Sequence, residues 1–60
     1  MYMSLPEDPF ILYSFINTQL RDKYSSFEEL CRKNDLDMEN ISTKLRTAGF
    51  EYSPEYNKFM

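Results

Sequence analysis

Residues 27–49 read FEELCRKNDLDMENISTKLRTAG, and this stretch decides the fold because it contains the signals for two helices and the turn between them. Ser26, followed three residues later by Glu29, has the spacing of a capping box and predicts a helix start. Asn34-Asp35 predicts its end, because both residue types tolerate turn or left-handed backbone. The sequence therefore predicts helix two over residues 27–34.

Helix three follows after a short connection. Asp37 is a suitable N-cap, and Gly49 is a natural stop because glycine takes a positive φ without steric cost. Between them the apolar residues recur at helical spacing: Met38, Ile41, Leu45 and Ala48. This pattern predicts helix three over residues 38–48, with Leu36 pointing back into the core.

The two helices together resemble a helix–turn–helix, aligned without gaps. Cys31 occupies the place where a small residue lets the second helix cross closely. Two positions depart from the DNA-binding form of the motif: Asp35 replaces the turn glycine, and the polar Asn34 replaces the last inward residue of the first helix. The apolar spacing survives these departures, so the two-helix corner is expected as structure.

A longer helix is expected before this corner. Asp8-Pro9 is a strong helix start, since Asp8 can cap free N–H groups and proline suits the first helical position. Helix one is predicted over residues 9–24, with one apolar stripe: Leu12, Ile16, Leu20 and Tyr24. Ile11, Tyr13 and Phe15 widen this stripe, and this predicts burial of the first half of the helix on two sides.

The second half of helix one turns polar. Its cluster comprises Asn17, Thr18, Arg21 and Asp22. We interpret it as a polar bridge that locks helix one to the corner, in preference to a binding patch. Arg21 is expected to pair with a carboxylate at the start of helix two, such as Glu28.

The two ends of the chain complete a single domain over residues 1–60. Residues 1–7 are expected to form an extended arm, because Pro6 biases its neighbour away from helix. In the tail over residues 50–60, Phe50 and Tyr52 alternate with Glu51, and Ser53-Pro54-Glu55 is a turn signal. The sequence predicts a mainly α, three-helix, helix–turn–helix-like bundle with a short C-terminal β-hairpin, similar to a winged helix.

Composition narrows the function. The 60 residues include one cysteine and no histidine, so neither an intramolecular disulfide nor a zinc site is expected, and no cofactor is predicted. Cys31 is expected to be buried and inert, and so short a chain offers little room for a catalytic pocket, so an enzyme is not expected. Neither a signal peptide nor a membrane span is apparent, and the cytoplasm is the expected location.

The first function hypothesis is a small protein-interaction module, with a homodimer as one form. Five Phe and five Tyr are a large aromatic load for so small a core. Association would also supply the burial that a chain of this size lacks. The candidate interface residues are Tyr2, Met3, Tyr13, Tyr52, Tyr56 and Phe59.

The alternative is a winged-helix-like nucleic-acid-binding protein that uses helix three. Its candidate contacts are Asn40, Thr43, Lys44, Arg46, Thr47 and Lys58. The net charge of −3 argues against general polyanion binding. Helix three is basic only by the excess of Lys44 and Arg46 over Glu39, which is thin for a DNA reader.

Several short motifs occur together along the chain: Leu5-Pro6 with Asp8-Pro9, the run Asn17-Thr18-Gln19-Leu20-Arg21-Asp22, Leu30-Cys31, Lys44-Leu45, and Tyr52 with Asn57-Lys58-Phe59. With this combination the chain resembles a small bacterial family, domain of unknown function family 4250. It implies a bacterial cytoplasmic protein of about this length. It implies no activity, substrate or functional residue.

Overall fold

A computed structural model of the chain describes residues 5–60, in which three helices are followed by a hairpin. The helices are α1 (Pro9–Asp22), α2 (Phe27–Asn34) and α3 (Met38–Thr47). The strands β1 (Tyr52–Ser53) and β2 (Lys58–Phe59) pair antiparallel, with Tyr52 opposite Phe59 and Ser53 opposite Lys58. The predicted mainly helical fold with a C-terminal hairpin is confirmed.

Each helix begins at the side chain that the sequence predicts. The Asp8 carboxylate accepts hydrogen bonds from the N–H groups of Phe10 and Ile11, at 2.8 and 3.2 Å. Ser26 Oγ accepts the N–H of Glu29 at 3.0 Å, and Asp37 Oδ1 accepts that of Asn40 at 3.1 Å. These caps satisfy backbone donors that the first turn of a helix leaves unpaired.

Two helices end slightly earlier than predicted. α1 stops at Asp22 instead of residue 24, because the N–H groups of Lys23 and Tyr24 both converge on the carbonyl of Gln19. α3 stops at Thr47 and leaves Ala48 as its C-cap. α2 has the predicted bounds, and Asp35 follows it in the left-handed conformation at φ 55° and ψ 48°.

One hydrophobic core joins all three helices to the hairpin. Its buried members are Leu12, Ile16, Leu20, Phe27, Leu30, Cys31, Ile41, Leu45 and Phe59. Leu36 packs partly buried against this core, as predicted, and so does Leu5 from the segment before α1. Tyr24 also packs against the core, although it lies beyond the end of the helix.

The first half of α1 is buried on one side only, which corrects the prediction of two-sided burial. Leu12 and Ile16 are buried, whereas Ile11 is 59% exposed and Phe10 is 62% exposed. The reason is that the described part of the fold covers α1 along one face only. The apolar residues on its other faces remain at the surface.

Candidate functional site

The hairpin is fixed to α1 by the side-chain amide of Asn17. Asn17 Nδ2 donates to the carbonyl of Phe59 at 3.0 Å, and Asn17 Oδ1 accepts the N–H of Phe59 at 2.7 Å. One amide side chain thus supplies both hydrogen bonds that a neighbouring strand would give to β2. It places the hairpin beside the middle of α1.

Asn57 fixes the turn of the hairpin in a second way. Its backbone is left-handed at φ 54°. Its Nδ2 donates to the carbonyls of Leu20 and Tyr24 at 3.2 and 3.1 Å, and its Oδ1 accepts the Tyr52 hydroxyl at 2.7 Å. The Tyr52 oxygen also accepts the N–H of Phe27 at 3.2 Å, so the network reaches from the end of α1 to the start of α2.

Sequence reasoning missed the role of Asn57. The available signal was an asparagine after the Ser53-Pro54-Glu55 turn, a residue type that enters left-handed backbone more readily than most others. The distance of 37 residues to Leu20 hid its partner. The polar cluster predicted to join α1 to the corner does not do so: Asn17 bonds to the hairpin instead, and Arg21 bonds within α1.

Arg21 does not pair with Glu28, contrary to the prediction. Its Nε and Nη2 donate to the two carboxylate oxygens of Asp22, the next residue, at 2.9 and 3.2 Å. This hydrogen-bonded pair raises the pKa of Arg21 and lowers the pKa of Asp22. Both side chains are at least half exposed, so the pair contributes little to stability.

Three aromatic rings at the start of α1 and after α3 form what we term the aromatic patch: Phe10, Tyr13 and Phe50. Phe50 stacks on Tyr13 with ring centroids 3.9 Å apart, and Phe10 meets Phe50 edge-on at 5.7 Å. Tyr13 and Phe50 are half-buried against the core, whereas Phe10 is 62% exposed. The patch therefore presents an apolar ring that already rests on a fixed support.

The predicted interface residues that the structure describes do not form one surface. Phe59 is a correction: it is 1% exposed and packs edge-on against Phe27 at 4.9 Å, so it belongs to the core. Tyr52 is half-buried with its hydroxyl engaged, and Tyr56 lies exposed at the turn of the hairpin. Tyr2 and Met3 lie outside the described residues.

The residues predicted for nucleic-acid binding on α3 mostly face outward. Asn40, Thr43, Arg46 and Thr47 are exposed, and Lys44 is half-buried. Some of their polar groups are used within the helix. Arg46 Nη2 donates to Thr43 Oγ1 at 3.4 Å, and Thr47 Oγ1 donates to the carbonyl of Lys44 at 2.6 Å.

The predicted basic residues line three different surface hollows. Lys44 lines a hollow of about 500 Å³ with Asp37 and Glu39, so two carboxylates lie on the same surface. Arg46 lines one of about 270 Å³ beside the hairpin. Lys58 lines a third, of about 490 Å³, together with Arg21.

Cys31 lies in the core and is 4% exposed. Burial, with a smaller effect of the Asp37 charge, raises the pKa of its thiol to about 11. The thiolate that reacts with electrophiles or binds metals is therefore scarce at neutral pH. Within residues 5–60 no group of three or more metal-ligating side chains lies close enough together to hold an ion.

The described helices include none with the length and apolar character needed to cross a bilayer. The fold and surfaces define a small three-helix domain closed by a C-terminal hairpin. The chain belongs to the family described as domain of unknown function DUF4250, whose family model matches residues 6–59. Neither a curated protein nor a solved structure matches the chain.

Proposed function

We propose that this chain is a small non-enzymatic interaction domain whose aromatic patch binds protein, in the simplest form the patch of a second copy. The observation that carries the proposal is that the exposed ring of Phe10 packs against another ring. Its ring is 62% exposed, yet it rests edge-on against Phe50, which is itself stacked on Tyr13. A large ring held in place loses little side-chain entropy when a partner covers it.

The surroundings of the patch favour an apolar partner. Ile11, the next residue on α1, is 59% exposed, so a second large apolar side chain lies at the surface of the first turn. The cores of protein interfaces are rich in aromatic residues and poor in charge, and none of these side chains is charged. A two-fold dimer brings the same surface of both copies together, so the aromatic patch of one copy would contact the aromatic patch of the other.

Sedimentation equilibrium of the whole chain tests this proposal. We expect a monomer–dimer equilibrium with a dissociation constant of about 10–100 μM, because the patch is small. Phe10→Ser should weaken association by about tenfold or more, since it removes a central aromatic contact. The matched control is Tyr56→Ser, because Tyr56 is also 62% exposed but lies at the turn end of the hairpin.

Two outcomes would contradict the proposal. One is a wild-type chain that stays monomeric up to a concentration of about 1 mM. The other is equal weakening by Phe10→Ser and Tyr56→Ser, which would mean that general surface apolarity drives association.

A bacterial cytoplasmic setting, which the family resemblance implies, belongs to the same proposal.

A second candidate function is nucleic-acid binding through α3, and a specific observation favours it. Asn40, Thr43, Arg46 and Thr47 are all exposed on one helix, which is the arrangement that a recognition helix requires. The carboxylates of Asp37 and Glu39 beside Lys44 oppose it.

Fluorescence anisotropy with random duplex DNA at low salt tests this candidate. Binding that weakens as salt rises supports it, and Lys44→Ala with Arg46→Ala should then flatten the salt slope by about two. Arg32→Ala with Lys33→Ala is the matched control, since it removes the same charge from α2. An absence of binding at low salt, or equal losses in the two double variants, would exclude it.

A further inference from the structure

A hollow of about 490 Å³ lies between the second half of α1 and the turn of the hairpin. The residues of interest in its lining are Thr18, Arg21, Tyr56, Asn57 and Lys58. We term it the turn hollow. It is separate from the aromatic patch. The hollow lies at the turn of the hairpin, whereas Phe50 of the patch lies just before β1, at the open end of the hairpin.

Two cationic side chains line the turn hollow. Arg21 and Lys58 both line it, and none of its described lining residues carries a carboxylate. Asp22 binds Arg21 through Nε and Nη2, which leaves the two N–H bonds of Nη1 for another acceptor. This surface is unusual on a chain whose net charge is −3.

The helix itself does not oppose an anion here as strongly as a bare C-terminus would. Free carbonyls in the last turn of a helix repel negative charge. Two carbonyls near this end, those of Leu20 and Tyr24, accept hydrogen bonds from Asn57 Nδ2. The amide hydrogens of Asn57 therefore offset part of the negative charge of these two carbonyl oxygens.

The hollow also offers a ring and enough volume for more than a simple ion. Tyr56 is 62% exposed and lines the hollow, so much of its ring surface is free to contact a ligand. A volume of about 490 Å³ falls in the range of small-molecule sites. A guanidinium and an ammonium group suit phosphate oxygens, and an exposed tyrosine suits a planar base.

We propose that the turn hollow binds a small phosphate ester that carries a planar ring, of the nucleoside monophosphate class. Arg21 Nη1 and Lys58 contact the phosphate, and the ring stacks on Tyr56. The Thr18 hydroxyl donates to the carbonyl of Ser14 at 2.9 Å, so its oxygen is still able to accept a hydrogen bond from the ligand.

The experiment is an amide NMR titration of the whole chain with three probes: adenosine monophosphate, inorganic phosphate and adenosine. We expect saturable shifts with adenosine monophosphate around Arg21 and residues 56–58. Its affinity should exceed that of inorganic phosphate by at least about fivefold, because inorganic phosphate has no ring to stack on Tyr56. Adenosine alone should bind more weakly than the nucleotide, because it lacks the charged contacts.

Variants then assign the contacts. Lys58→Gln should weaken nucleotide binding by about fivefold, whereas Lys44→Gln, which removes a lysine from another hollow, should leave it unchanged. Tyr56→Ala should lose the advantage of the nucleotide over phosphate, and Tyr56→Phe should keep it. Because all three positions lie on the surface or at its edge, the four variants should retain the wild-type NMR fold.

Three results would overturn the inference. They are the absence of saturable shifts with the nucleotide, equal affinity for nucleotide and inorganic phosphate, and equal losses in Lys58→Gln and Lys44→Gln. The inference is independent of the proposed dimer. Phe10→Ser should bind the nucleotide as the wild type does, whether or not it associates.

Discussion

At the scale of single residues, two asparagines determine where the hairpin lies. Asn17 pairs with both backbone groups of Phe59, and Asn57 joins the end of α1 to Tyr52. Each amide makes more than one hydrogen bond, and a buried backbone group left without a partner costs more than a typical hydrogen bond contributes. No aliphatic residue of similar size could replace them.

Asn17→Ala should lower the free energy of unfolding by about 2 kcal/mol, because it leaves the N–H and the carbonyl of Phe59 without protein partners. Urea denaturation measures this change. Thr18→Ala is the matched control on the same helix. Its exposed hydroxyl bonds only within α1, so the change should stay within about 0.5 kcal/mol. A similar loss in both variants would contradict this role for Asn17.

Asp35 and Asn57 have almost the same backbone, with φ at 55° and 54°, but should respond oppositely to glycine. Asp35→Gly should raise the free energy of unfolding by about 0.5 kcal/mol, since it relieves left-handed strain at an exposed position. Asn57→Gly should lower it by about 2 kcal/mol, because three hydrogen bonds are lost. Changes of the same sign in thermal denaturation would refute this distinction.

At the scale of elements, the start of α2 shows how a short helix is held. Ser26 Oγ caps the N–H of Glu29, while Glu29 Oε1 accepts both the N–H and the hydroxyl of Ser25, at 2.7 and 3.0 Å. The returning carboxylate thus reaches one residue further back than in the usual capping box. Lys33 lies 3.7 Å from the other carboxylate oxygen of Glu29, one helical turn later.

This cap predicts a dependence of stability on pH. The hydrogen bonds from Ser25 hold the pKa of Glu29 below its ordinary value of 4.5. The folded state therefore favours the ionised carboxylate, and its contribution is present above that value and is lost as the pH falls through the lowered pKa. We therefore expect the urea midpoint of the wild type to decrease as the pH is lowered through this acidic range.

The matched variants are Glu29→Gln and Glu28→Gln, both in the first turn of α2. Glu29→Gln should flatten the acid-side fall of the urea midpoint. Glu28→Gln should keep the fall, because the described residues give that carboxylate no hydrogen-bond donor. An unchanged slope in Glu29→Gln would show that other carboxylates cause the acid sensitivity.

At the scale of the whole molecule, the hairpin is part of the core and not an appendage. Phe59 is 1% exposed and meets Phe27 of α2 edge-on, while the same strand is bonded to α1. A two-stranded hairpin is marginal by itself, and an 8-residue helix is too short to persist alone in water. Each element therefore depends on the others, and unfolding should be cooperative.

Phe59→Ala tests this dependence. It should cost about 3–5 kcal/mol, which is comparable to the whole stability of so small a domain. We expect far-ultraviolet circular dichroism to show loss of helix together with loss of the hairpin. Tyr56→Ala, which truncates an exposed ring on the same hairpin, should retain the helices. A helical signal that survives Phe59→Ala would mean that the three helices fold without the hairpin.

The sequence by itself determined the elements, because their signals are local. Asp8, Ser26 and Asp37 each cap a backbone group within three residues, and Asp35 and Gly49 end helices through their own φ angles. The apolar spacing of α1 likewise identified its core face. Such interactions depend on near neighbours along the chain, so a reader of the sequence can find them.

Only the tertiary structure decided which residues stay exposed and which of them share a surface. Phe59 and Phe10 look alike in the sequence, but one is buried against Phe27 and the other is exposed on Phe50. Asn17 contacts Phe59, 42 residues later, only because α1 packs against the hairpin. The position of the hairpin also places Lys58 in a different hollow from Lys44. The physical reason is that burial and surface grouping are set by packing between distant segments, which no local pattern records.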